Sequence, residues 1–244
     1  MRDRNDYSAF FYVLPAALIL LVFHIYPVIY SFLLSVFRGT LKNPMRHFIG
    51  FENYVELAGD IEFWKAMANT VYFAVGSVPV GILIALLIAL LLNQKLSGLG
   101  FYRTVYYLPV ITSIAAVALV WKWLFEKNSG FFNQILKMLG FSPSGWLQES
   151  KGIFQVIVEN FGGSLPGILQ GPSVALCCIV VMSVWKSLGY NVVIFLAGLQ
   201  NIPRHLYEAA EIDGASKFQQ FKNVTWPLLG PTTFFVFIMS TITS

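Results

Sequence analysis

The stretch Tyr207 to Pro227, YEAAEIDGASKFQQFKNVTWP, lies between two long apolar runs and reads as two short amphipathic helices on a surface rather than inside a bilayer. Pro203 suits a first helical turn, where its missing N–H would be unpaired anyway, and Gly214 suits a helix end because it tolerates positive φ. The spacing predicts a helix from about Pro203 to Asp213, with Leu206, Ala209, Ala210 and Asp213 along one side. The two alanines leave a shallow surface that another protein can approach closely, and the neighbouring face carries Arg204, Glu208 and Glu211. After the break, Ser216 and Gln219 have capping-box spacing, Phe218 and Phe221 form an apolar stripe, and Trp226-Pro227 closes the segment. The product is a helix-turn-helix shelf between two membrane spans. On periodicity alone, a solvated hairpin that only connects the spans accounts for it.

Composition bounds what surrounds the shelf. With 57% hydrophobic and 11% charged residues, and a mean hydropathy of +0.67, the 244-residue chain is too apolar for a soluble domain of its length. It reads as an integral membrane protein. The net charge of +4 is modest, and no Lys/Arg cluster or basic stripe supports a nucleic-acid partner. Cys177 and Cys178 are adjacent within an apolar run, which speaks against a structural disulfide or a metal site.

Taken in order, a first span covers about 9–36, with Pro15 and Pro27 as candidate kinks and His24 either a polar contact between helices or a headgroup-level residue. It is too long and aromatic for a signal peptide. An interfacial amphipathic helix is expected around Glu62 to Ala68, ahead of a second span at 67–93, where nothing charged lies between Lys65 and Lys95. Ala85 and Ala89 have small-xxx-small spacing there. Further spans are expected at 104–125, 173–199 and 227–244, with the long loop 126–172 between the third and fourth and the shelf at 200–226. The expected fold is all-α, one polytopic helical domain over 1–244 with five hydrophobic spans. Lys186 is the one charge placed within the bilayer, marking either a pathway, a buried pair or a lysine snorkelling along its stem.

Glu208-Ala209-Ala210, then Gly214, then Trp226-Pro227 resembles the signature of the membrane-spanning subunits of ABC importers, Glu-Ala-Ala followed by Gly and a hydrophobic-Pro pair. The flanks AGLQNIPRHLYEAAEIDGAS and PLLGP look like the sugar-importing branch, as do Ser129-Gly130-Phe131-Phe132-Asn133 and Gly145-Trp146-Leu147. The segment Lys151 to Gly171 reads as an insertion against that pattern. The resemblance implies that the shelf is a coupling helix in which Glu208, Ala209, Ala210, Asp213 and Gly214 dock on a separate ATPase. It also places Tyr190, with Lys186, Ser187 and Asn191, where sugar-lining residues lie. An aromatic face stacks on a sugar's apolar face while hydroxyls and amides answer its hydroxyls; Gly189 stands where the maltose importer has proline.

The function implied is a permease subunit of the cell (inner) membrane, importing a sugar or related polyol by alternating access, and not an enzyme. ATP and Mg would sit on a partner ATPase dimer, since the chain has no GxxxxGK[ST] motif and no cofactor of its own is expected. A second permease subunit and an extracytoplasmic sugar-binding protein complete the expected partners. Counting Lys and Arg on the two sides gives a nearly even balance, so only the resemblance puts the N-terminus and shelf in the cytoplasm. Family members continue past Ser244 to finish the fifth span and add a sixth, so the chain is expected to be either a fragment or a protein short of those helices. The alternatives are a truncated, non-transporting assembly protein and a polytopic membrane enzyme. Scattered His24, His47 and His205 and the solvated acids of the shelf argue against the enzyme.

Overall fold

A computed structural model describes residues 6–94, 98–159, 162–164 and 170–244. Arg2, Arg4 and Lys95, counted above for orientation, lie outside the described residues, as do parts of the expected insertion. The chain divides into two units, Met1–Met67 and Ala68–Ser244.

In the first unit, helix α1 (Asp6–Leu20) passes into α2 (Tyr26–Ser35) through one π turn at Leu21–Ile25, closed by the Tyr26 N–H on the Leu21 carbonyl. The cause is local. Pro27 offers no N–H to the Phe23 carbonyl and its ring crowds that carbonyl, and a widened turn relieves both. One small departure from an all-helical chain follows: β1 (Phe37–Thr40) pairs antiparallel with β2 (Asn43–Phe48), Phe37 opposite Phe48 and Arg38 opposite His47. The two phenyl rings meet edge to face at 5.3 Å, and Gly39 lies so close to the Pro44 carbonyl that a Cβ would stand 2.1 Å from it. The hairpin is tied to α3 (Glu52–Gly59) by the Arg38 guanidinium on the Glu56 carboxylate, and Asn53 Nδ2 donates to the Ser35 carbonyl at 2.7 Å.

The amphipathic helix expected around Glu62 to Ala68 is not separate. It forms the opening turns of α4 (Ile61–Leu92), which continues unbroken for 32 residues through Pro79. Helix α5 (Leu99–Ile111) follows, then α6 (Ile114–Leu124). Here the structure departs from a single straight helix over 104–125: Thr112 and Ser113 are extended, and the axis turns by 99° between the two pieces. Pro109 has already removed one N–H from the ladder, and the adjacent Thr and Ser offer the backbone local alternatives to it.

Beyond α6, α7 (Phe131–Met138) and α8 (Ile153–Glu159) are short. The two sequence landmarks of this loop meet at Asn133, which is fully buried. Its Nδ2 donates to the Lys127 and Ser144 carbonyls at 2.8 and 2.9 Å, and its Oδ1 accepts from the Ser144 N–H and the Trp146 indole N–H at 3.0 and 2.8 Å. Trp146 packs with Phe125 and Phe132, so the loop is pinned to the end of α6.

Helix α9 (Val174–Gln200) is the longest element after α4, and Ser173 caps its start. Then come α10 (Arg204–Ile212), α11 (Lys217–Gln220), a second π turn at Phe221–Thr225, α12 (Trp226–Leu228) and α13 (Gly230–Thr243). The second π turn precedes Trp226-Pro227 as the first precedes Tyr26-Pro27, for the same reason. Among the described residues, 10–35, Ile61–Leu92 and Val174–Gln200 are long and apolar enough to cross a membrane; two bent pairs, 100–124 and 217–243, bring the total to five if each is one span.

The core of the second unit joins α4 and α9. Ala85 and Ala89 are fully buried and face Val192, Phe195, Leu196 and Leu199, closed off by Leu229 and Val236. The alanines leave space that the larger side chains of α9 fill, so the two helices meet through one side-chain core. Helix α5 approaches the α9 backbone closely at Gly189, where a Cβ would lie 2.3 Å from the Tyr106 carbonyl oxygen and 2.8 Å from Val110. At Gly198 the nearest atoms belong to the Thr232 and Leu229 side chains, which can shift more readily than backbone. Gly189→Ala should therefore cost roughly 1–3 kcal/mol of stability by overpacking and lower the melting temperature in detergent more than Gly198→Ala does. Equal or negligible losses would remove this contact from the packing account.

Candidate functional site

The four α9 residues expected at a sugar site, Lys186, Ser187, Tyr190 and Asn191, line one cavity of about 420 Å³ together with Ser183 of the same helix. The other walls come from α4 through Ser77 and Val78, from the first residue of α6, Ile114, and from α13 through Met239 and Ser240. Asn191 is almost wholly buried, and its Nδ2 reaches the Ser240 hydroxyl at 3.5 Å, a long bond that leaves its carbonyl oxygen open. Gly81 on α4 leaves room beside that amide. Ser187 donates to the Val184 carbonyl at 3.2 Å and keeps its lone pairs for an acceptor role. Tyr190 is half exposed. These are groups that can accept and donate to hydroxyls beside an aromatic ring.

A reading of the sequence passes over the hydroxyls that other positions bring to this cavity, Ser77, Ser183, Ser240 and Thr243, and of these Ser77 stands out. Its hydroxyl is buried and has no hydrogen-bond partner among the described residues. A serine in a dry helix ordinarily donates back to a carbonyl three or four residues earlier, and a hydroxyl left unmatched costs about 1–3 kcal/mol. An isolated Ser within an otherwise apolar run, AVGSVPVG, is the signal that would have found it. A second cavity of about 510 Å³, walled by Tyr72, Val80, Trp121, Cys177, Val180 and Leu188, is almost purely apolar and offers nothing to orient a polar molecule.

Lys186 behaves differently from its neighbours. Its Nζ donates to the carbonyls of Pro109 and Thr112 at 2.5 Å each and to Val110 at 3.2 Å, all at the break between α5 and α6. Among the described residues it forms no ion pair with a carboxylate.

The shelf has the local structure that its sequence predicts at both ends of its turn. Gly214 stands at φ +77°, the Ala215 N–H returns to the Ala210 carbonyl at 2.8 Å, and the Gly214 N–H to Glu211 at 3.1 Å, a complete C-terminal cap. Ser216 and Gln219 form a reciprocal capping box. Pro203 lies one position earlier than expected, as the extended residue before the first turn. Leu206 and Tyr207 turn inward onto the α4–α9 core, and the Tyr207 hydroxyl meets Thr225 at 2.9 Å.

The outward face therefore differs from the stripe expected. Leu206 and Ala210 are partly buried, whereas Glu208, Ala209, Ile212, Asp213 and Gly214 are exposed. Ile212 is 87% and Phe218 74% exposed, two apolar side chains standing in the open on either side of the Gly214 turn. Phe221 is half buried, so the expected Phe218–Phe221 stripe is split between the two sides. Beneath, Lys217 Nζ bonds Glu211 at 2.6 Å, and Gln220, nearly buried, reaches both Glu211 and the Ala215 carbonyl.

Residues 77–244 match a family described as the inner membrane component of binding-protein-dependent transport systems. The chain is 35% identical over 242 residues to the trehalose/maltose transport system permease protein MalF of Thermococcus litoralis, covering 99% of this chain and 75% of that one. It is 35% identical over 240 residues to the lactose transport system permease protein LacF of Rhizobium radiobacter, covering 97% and 72%. In fold it is similar to a chain of a bacterial ABC transporter involved in the import of the acidic polysaccharide alginate, with a TM-score of 0.74 and 23% identity over 97% of this chain and 73% of that one.

The Lys217 ammonium, the Gln220 amide and the Lys217 charge hold the Glu211 carboxyl below the usual carboxylate range. A lowered folded value stabilises the shelf above the unfolded pKa, about 4.3, and that support is lost as pH falls through the folded value. The gap in melting temperature between the native chain and Glu211→Gln should be constant from pH 7 to 5 and close towards pH 3. A gap independent of pH would remove this pair from the shelf's support.

Proposed function

The chain belongs to the inner membrane components of binding-protein-dependent transport systems, and on that premise we propose that its cargo is a sugar or related polyol, bound in the cavity of α9. The chain is a membrane permease subunit, a transporter component rather than an enzyme. The single observation that carries the cargo reading is the cavity itself: hydroxyls of Ser77, Ser187 and Ser240, the Asn191 amide and the Tyr190 ring line about 420 Å³, and the lysine in its wall is engaged by backbone carbonyls. The names of relatives that move trehalose, maltose and lactose support it.

The cycle follows from the two ends of one helix. The exposed shelf presents Glu208, Ala209, Ile212, Asp213 and Gly214 to an ATP-binding subunit in the cytoplasm, where ATP and Mg are held. Shelf and cavity share the α4–α9 core, through Leu206, Tyr207 and Val224 at one end and Asn191 at the other. A movement imposed on the shelf by ATP binding is transmitted to the cavity walls and opens them to alternate sides. A second permease subunit closes the cavity from the other side, and an extracytoplasmic binding protein delivers the cargo. A structure in which a similar fold is complexed with a pentasaccharide-bound periplasmic protein supports that delivery. In this orientation the N-terminus also lies in the cytoplasm.

Uptake by the reconstituted transporter, screened with mono-, di- and trisaccharides and polyols, tests the reading. Tyr190→Ala should raise KM about tenfold, equivalent to about 1.4 kcal/mol, and Ser77→Ala by a few fold, the worth of one hydrogen bond of about 0.5–1.5 kcal/mol. ATPase binding should survive both. No carbohydrate taken up, or an unchanged KM in both variants, would overturn it.

A further inference from the structure

We infer that Lys186 is a positioning residue: its ammonium latches the broken helix α5–α6, fixing a wall of the cavity, and does not bind cargo. This goes beyond the transport reading above and holds whatever the cargo is.

The inference begins with the backbone. A helix that ends inside an apolar layer leaves its last carbonyls without N–H partners, and there is no water there to take them. At the end of α5 these are the carbonyls of residues 108 to 111. The Leu108 oxygen accepts from the Thr112 hydroxyl at 2.8 Å. The Pro109 and Val110 oxygens accept from Lys186 Nζ, which also takes the Thr112 oxygen, beyond the helix end. An ammonium has three N–H donors. Three acceptors within hydrogen-bond distance account for all of them, so none remains for a cargo hydroxyl.

Charge favours the same arrangement. The carbonyl end of a helix carries partial negative charge, and a cation there is stabilised most where solvent is excluded. Among the described residues, no Asp or Glu forms an ion pair with Lys186, so the helix end is its counter-charge. The anchor is also well placed to act on the cavity. Lys186 precedes Ser187 and Tyr190 on α9, and the residue that restarts the helix after the break, Ile114, lines the same cavity. Gly189, one turn further on, brings α9 against the Tyr106 carbonyl, so the lysine and the glycine fix α5 at two heights.

Hydrogen exchange on the assembled transporter in lipid discs, without cargo, tests this. In Lys186→Met, amides of the last turn of α5 and the first turn of α6 should exchange on the order of tenfold faster; in Lys186→Arg, whose guanidinium also offers several donors, they should stay near native. Should Lys186→Met not assemble, assembly of Lys186→Arg with native-like protection supports the latch, and failure of both overturns it. Native exchange in Lys186→Met, with KM for cargo raised, would overturn the latch and return Lys186 to the cargo. Because the exchange is read without cargo, failure of the sugar reading leaves this result standing.

Discussion

Carbonyls inside an apolar layer have no water to turn to, and the interruptions at Pro27, Thr112-Ser113, Pro227 and Leu229 are built around that constraint. Where proline removes an N–H, at Tyr26-Pro27 and Trp226-Pro227, the helix widens by one π turn and continues. Where the chain turns by 99°, widening is not enough, and the freed Leu108, Pro109 and Val110 oxygens are met by the Thr112 hydroxyl and the Lys186 ammonium. At the last bend, of 62°, the Leu229 N–H still reaches Thr225, and the Thr233 N–H reaches Leu229. Irregular backbone is tolerated only where side chains or shifted ladder bonds complete it.

The same helix supplies both the latch and the centre of the packing. Helix α9 approaches α5 closely at Gly189, where no side chain holds the backbones apart, and buries Val192, Phe195 and Leu199 in one core with Ala85 and Ala89 of α4. The cavity is left on the polar side of α9, with Ser77 and Asn191 nearly buried in its wall. At the far end of the same core, Leu206 and Tyr207 seat the shelf, so the exposed Gly214 turn is mechanically continuous with buried residues. For a membrane component of a binding-protein-dependent transport system, that continuity is the physical basis of the proposed coupling.

Much of this was legible in the sequence where it depended on neighbours along the chain. The positive φ of Gly214, the Ser216–Gln219 capping box and the shared face of the buried Ala85 and Ala89 are set within one or two turns and could be read there. The hairpin at 37–48 and the break at Thr112-Ser113 left signals, Gly39 and Pro44 in one case and Pro109 with two hydroxyl residues in the other, but each can be read without the bend or the pairing. What fixes the break is a lysine more than seventy residues away. Likewise, periodicity ranked Leu206 with Ala209, whereas the core beneath draws Leu206 and Ala210 inward and leaves Ala209 and Ile212 outside. Ser77 joins the α9 residues only through the packing of α4 on α9, which no local pattern encodes.

The central claim is that the shelf drives the cavity, and its most direct test is the number of cargo molecules moved per ATP hydrolysed by the reconstituted complex carrying Gly214→Val. A β-branched side chain at φ +77° strains the turn by about 1–2 kcal/mol. The account predicts that the complex assembles and that this ratio collapses. An unchanged ratio with native uptake would mean that the shelf only connects two helices and that the drive reaches the cavity by another route.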